Sequence, residues 1–102
     1  MGSPHLTLDR GKLAQICRHS HIRRLSLFGS ALHDDFRPDS DVDMLVEFDP
    51  EHRPGMIGIH ELEEELSRLC AGHRADLVNP KYLNRHIRDR VLAEAEVQFA
   101  EG

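Results

Sequence analysis

Residues 27–48 read LFGSALHDDFRPDSDVDMLVEF, and the fold turns on how they are read. An apolar stretch stops at a Gly-Ser pair, Gly29-Ser30. After a polar loop, Ser40-Asp41-Val42-Asp43 opens a second apolar stretch. Side chains of a strand point alternately to its two faces, so an extended run over 42–48 sets Val42, Met44, Val46 and Phe48 on one face. Asp41 and Asp43 fall on the other. Two acids on one face repel each other and resist desolvation, so a cation is expected beside them. Hard divalent ions take oxygen ligands, and Mg²⁺ suits a site where substrate phosphates complete the shell. The Gly-Ser pair supplies the complement. Gly29 permits close backbone approach, and a short helix opening at Ser30 offers free N–H groups to phosphate.

Outward from this stretch the periodicities alternate. Leu13, Ile16 and Cys17 recur at helical spacing over 8–19, with Asp9 as N-cap. Residues 22–28 alternate as a first strand, with Leu25 and Leu27 on either side of Ser26. Arg37-Pro38-Asp39-Ser40 is a turn that fixes the entry of the second strand. Pro54, Gly55 and Gly58 make 51–58 a connection, and because it follows the two-acid strand it is placed to flank the entrance to that site. Ile59, Leu62, Leu66, Leu69 and Cys70 line one side of a helix whose other side carries Glu61, Glu63, Glu64, Glu65 and Arg68, read as a solvated face without chemistry. Gly72-His73-Arg74 ends that helix, and Ala75-Asp76-Leu77-Val78 is a short third strand. Asn79-Pro80 then caps a final helix over 81–96, whose buried side is expected at Leu83, Ile87, Val91 and Ala95. The expected order is helix, strand, strand, helix, strand, helix.

Composition narrows the function classes. The 102 residues carry a formal net charge of −5, with a pI near 5.9. Such a field does not steer the molecule toward polyanions, so no direct nucleic-acid contact is expected. The length corresponds to a single domain, 1–102, without room for a second domain to hold an acceptor. No apolar run reaches membrane-spanning length and no secretory signal is visible, so a cytoplasmic setting is the expectation. Cys17 and Cys70 fall at apolar helix positions without metal-type spacing and read as reduced core residues. The eight histidines, His19 and His21 included, lack a zinc-type arrangement with cysteine and read as solvated. Residues 1–6 show no pattern.

The pattern Phe28-Gly29-Ser30, nine intervening residues, then Ser40-Asp41-Val42-Asp43 resembles the signature of the polymerase-beta-type nucleotidyltransferase superfamily. The short chain is similar to its minimal nucleotidyltransferase family, whose members often act as antitoxins beside an HEPN-type toxin. The likeness extends to Arg88-Asp89-Arg90-Val91-Leu92. It implies an α/β fold in which a small mixed sheet carries the acids on one face and helices on the other. It also implies that Asp41, Asp43 and Asp76 are the catalytic, metal-holding acids, with Mg²⁺ as the ion and Asp76 helping to activate the attacking hydroxyl. Gly29, Ser30 and Ser40 would bind the nucleotide phosphates.

The activity implied is transfer of AMP from ATP to a tyrosine of an HEPN-type toxin, as the antitoxin of a type VII toxin–antitoxin system. Two other readings stand beside it. One is a module that neutralises its partner by binding alone, and the other is adenylylation of a small molecule such as an aminoglycoside. The sequence departs from the commoner family form at His33-Asp34, where Arg-Gly is usual, which removes a fixed positive charge. Arg37, Arg74 and Lys81 are the basic residues placed to compensate.

Overall fold

The computed structural model describes residues 8–32, 37, 39–70 and 72–101. Helix α1 (Arg10–His19) starts where expected, its first turn closed by Asp9, whose carboxylate accepts from the Lys12 N–H at 3.1 Å. Strand β1 (Ile22–Phe28) follows, then a four-residue 3-10 turn, Gly29–Leu32, and strand β2 (Val42–Phe48). Helix α2 (Met56–Arg68) leads to β3 (Ala75–Val78) and a second 3-10 turn, Pro80–Tyr82. Helix α3 (Arg85–Glu94) and strand β4 (Glu96–Ala100) complete the chain order. The mixed sheet runs β3-β2-β1-β4, with β1 antiparallel to both its neighbours and β3 parallel to β2.

The alternation over 42–48 does what it implies on one side. Val42, Met44 and Val46 are buried in one cluster with Leu13 and Cys17 of α1 and Leu62 and Leu66 of α2, and Phe48 packs against it. Both of these helices therefore lie on the apolar face of the sheet, and the acids point the other way. Truncating a fully buried member such as Leu66 to Ala typically costs 2–5 kcal/mol. The acid face is not wholly wet: Leu45 and its cross-strand partner Ser26 are buried there, behind Asp43.

Two expectations need correction at the C-terminal end. The final helix begins at Arg85 rather than 81, because Asn79-Pro80 caps a separate 3-10 turn and Asn84 caps α3 anew through the His86 N–H. Its proposed buried side is not buried. No residue of α3 is buried and Ile87 is 55% exposed, since periodicity marks an apolar stripe without saying what covers it. The chain then returns as β4, a strand not anticipated. Phe99 of β4 enters the core opposite Leu25, and an extra residue at Gln98 makes a bulge that pairs Val97 with Ser26.

Candidate active site

Parallel pairing of β2 with β3 decides the geometry of the acids. Val42 pairs with Ala75 and both are buried in the core, so the next pair, Asp43 with Asp76, points to the opposite face. Neighbouring strands lie about 4.8 Å apart, which makes these two carboxylates close neighbours. Asp41 stands one residue before β2 and is exposed, yet its charge reaches both of the others. All three predicted acids are thus brought together at one end of the sheet.

Their electrostatics record the crowding. Partial burial, then the charges of Asp76 and Asp41, hold the Asp43 carboxyl above the ordinary carboxylate value. Asp76 is raised as well, first by burial, then by the charges of Glu63 and Asp41 and a hydrogen bond with Glu63, while Arg74 pulls the other way. Both shifts disfavour the charged carboxylates, and a cation beside them would offset that penalty.

Gly29 lies against this cluster, and here glycine is required on two counts. Its φ is +74°, a conformation that side chains disfavour. A Cβ at this position would also stand 2.8 Å from Asp43 Oδ2. The close backbone approach expected at Gly29 is therefore an approach to the acid itself. The helix expected at Ser30 is only the 3-10 turn, too short to offer a substantial dipole, so what it contributes is local backbone N–H groups. The Ser30 side chain lies outside the described residues, as do His33 and Asp34.

Ser40 is occupied in holding the turn. Its N–H donates to the Arg37 carbonyl at 2.9 Å, and its Oγ accepts from the Arg37 N–H at 3.0 Å. Of the basic residues placed to compensate for the missing Arg, Arg74 acts on Asp76 directly. Arg37 and Lys81 are exposed in turns.

The donors at this site are those a divalent ion would meet. Among the described residues no group of three or more His, Cys, Asp or Glu side chains is gathered tightly enough to hold a metal unaided. That suits an ion held by one or two carboxylates, with phosphate oxygens and water filling the rest of the shell, and not an all-protein cage. The all-oxygen donor set, with its raised carboxyls, fits a hard divalent ion of the kind nucleotidyltransferases use.

Two residues near the site escaped the sequence reading. Glu63, assigned to a solvated face, reaches over the sheet edge, where its Oε2 accepts from the Leu77 N–H at 3.0 Å and its carboxyl meets Asp76. His73, read only as a helix breaker, has Nδ1 2.8 Å from the Ser40 carbonyl oxygen. A Glu in a run of three and a His after a Gly carry no signal that could have marked them. His21, read as solvated, is exposed but stacked on His52 with ring centroids 4.0 Å apart.

Sheet order, acids on the face away from the helices, and a glycine turn against the central acid define a nucleotidyl-transfer fold. The description "Polymerase beta, Nucleotidyltransferase" fits residues 11–101, and the chain belongs to that family. Protein adenylyltransferase MntA of Thermococcus cleftensis is 41% identical over 73 residues, which span 72% of this chain and 71% of that protein. A solved structure assigned to the minimal nucleotidyltransferases is 31% identical, with a TM-score of 0.68 over 84% of this chain and 85% of the other. A chain from the complex of tri-AMPylated Shewanella oneidensis HEPN toxin with MNT antitoxin matches with a TM-score of 0.62, over 89% of this chain and 69% of that one. At 19% identity, that last likeness is one of fold. Among the described residues no helix is long and apolar enough to cross a membrane.

Proposed function

We propose that this protein transfers AMP from ATP to a tyrosine of an HEPN-type toxin and is that toxin's antitoxin. The observation that carries the reading is the juxtaposition of Asp43 with Asp76 in the sheet, with Asp41 beside them and Gly29 against Asp43. The MntA adenylyltransferase and the AMPylated toxin complex support the choice of nucleotide and acceptor.

In this reading Asp41 and Asp43 would hold Mg²⁺, the two carboxylates that such a site needs, and Asp76 stands beside them as the base. Bound there, such an ion would supply neutralisation of the triphosphate charge and stabilisation of the leaving oxygen. The chain's own residues do the remainder. The Gly29-Ser30 backbone and Ser40 seat the phosphates, and Arg74 offsets negative charge beside Asp76. The tyrosine oxygen attacks the α-phosphorus as Asp76 takes its proton. The new O–P bond forms as the α–β anhydride bond breaks, and pyrophosphate leaves. A carboxyl raised above its ordinary value by burial and by the charge of Glu63 is a better proton acceptor than an unperturbed one. A cytoplasmic setting, where ATP is plentiful, agrees with two free cysteines.

The test is mass spectrometry of the HEPN-type partner after incubation with ATP and Mg²⁺, beside the Asp41→Asn, Asp43→Asn double variant. Tyrosine-linked AMP with the wild type alone is the expected result. A stable complex without added mass would instead leave neutralisation by binding as the function.

A further inference from the structure

Asp41 lies outside the ladder that fixes its neighbours. Strand β2 begins at Val42, whose N–H donates to the Arg74 carbonyl at 2.7 Å, so the sheet holds the chain from that point onward. The peptide just before Asp41 must be held by something else. Its carbonyl, that of Ser40, lies 2.8 Å from Nδ1 of His73, a half-buried side chain 33 residues away on the connection between α2 and β3. A carbonyl oxygen can only accept, so Nδ1 carries the proton and the ring donates. The contact is long-range in sequence, while Ser40's other bonds, to Arg37, stay within its own turn.

We propose that His73 is a positioning residue for the active site: by donating to the Ser40 carbonyl it fixes the Ser40–Asp41 peptide and aims the Asp41 carboxylate at the ion site. Consecutive residues then clamp the entry of β2 onto β3, His73 through its side chain and Arg74 through its carbonyl. The three acids depend on this clamp because Asp41 is the one without a ladder bond of its own. This rests on the assignment of Asp41 as a metal ligand. Groups that orient metal ligands through hydrogen bonds typically change metal affinity 10- to 100-fold when removed.

The experiment compares wild type, His73→Ala, His73→Asn and Asp41→Asn. Asn is chosen because its side-chain N–H₂ can take the place of Nδ1–H as the donor to Ser40. Mn²⁺ binding is measured by electron paramagnetic resonance in the presence of a non-hydrolysable ATP analogue, with thermal melting as the check on folding. The expected result is a dissociation constant for Mn²⁺ weakened about tenfold in His73→Ala and largely restored in His73→Asn, at similar melting temperatures. Wild-type affinity in His73→Ala alongside lost affinity in Asp41→Asn would overturn the positioning role while leaving the metal assignment standing. Equal weakening in Ala and Asn, with both folded, would overturn the hydrogen bond as the cause. Unchanged Mn²⁺ binding in Asp41→Asn would remove the metal assignment, and this inference with it.

Discussion

Gly29 is the residue on which the site is least forgiving. A methyl group there would meet Asp43 Oδ2 at 2.8 Å while the backbone holds φ at +74°. Gly29→Ala therefore strains the turn by about 1–2 kcal/mol and pushes the central acid out of place. A melting temperature lowered by several degrees together with a drop of tenfold or more in AMP transfer is expected. Normal transfer in this variant would mean that Asp43 need not lie against the turn. Asp43 itself makes the opposite trade. Its native carboxyl holds a proton to higher pH than an unfolded one, so between the ordinary carboxylate value and the raised one the folded state binds more protons. Stability contributed by this group therefore falls as pH rises through that window. Asp43→Asn removes the repulsion with Asp76 and Asp41. In EDTA at neutral pH it should be up to about 1 kcal/mol more stable than wild type, by denaturant titration, and inactive. The advantage should vanish once the pH falls below the ordinary carboxylate range. A variant less stable than wild type at neutral pH would show that the three charges are not in conflict.

At the scale of elements, α2 both closes the core and guards an edge. Strand β3 is the last in the sheet, and its outward N–H groups would be open to pairing with another chain. Two side chains one helical turn apart on α2 take them up: Ser67 Oγ accepts from the Ala75 N–H at 2.9 Å and Glu63 from the Leu77 N–H at 3.0 Å. Ser67→Ala leaves the Ala75 donor without that partner. It should cost about 1–2 kcal/mol and speed amide exchange at Ala75 relative to β1. Unaltered exchange there would mean that water replaces the hydroxyl without loss. Element existence was legible where periodicity marks a core face, as in α1, β1, β2 and α2, because there the pattern and the main packing face say the same thing. Element existence failed only at β4; elsewhere it was the expected burial that failed, where packing departs from pattern. Leu45 is buried on the face of the acids, Val97 is turned beside Ser26 by a bulge, and α3 repeats apolar residues that stay largely exposed. That Asp41 and Asp43 share a face was legible because alternation is a local property, whereas Asp76 was singled out through the family resemblance. That Asp76 would lie directly beside Asp43 depended on strand register, and the contacts of Glu63 and His73 on how α2 lies along the edge. Neither is encoded over a short window.

For the molecule as a whole, the two cysteines offer a built-in reporter of global opening. Cys17 on α1 and Cys70 just beyond α2 are fully buried in the cluster that joins both helices to the sheet, and both are free. Burial, with a smaller push from Glu101, raises the Cys17 thiol to about 12, and burial alone raises Cys70 to about 11. Thiolate is the reactive form, so at neutral pH neither residue should react with a disulfide reagent while the fold is closed. Because both sit in one cluster, exposing either requires opening the same core, and their protection should report the same free energy as global unfolding. Labelling followed by mass spectrometry across a denaturant series is expected to show unlabelled and doubly labelled protein, with little of the singly labelled species, at a midpoint matching circular dichroism. Early, selective labelling of Cys17 would show α1 leaving the sheet before the rest. The site would then be carried by a smaller cooperative unit built from β1, β2, β3 and α2.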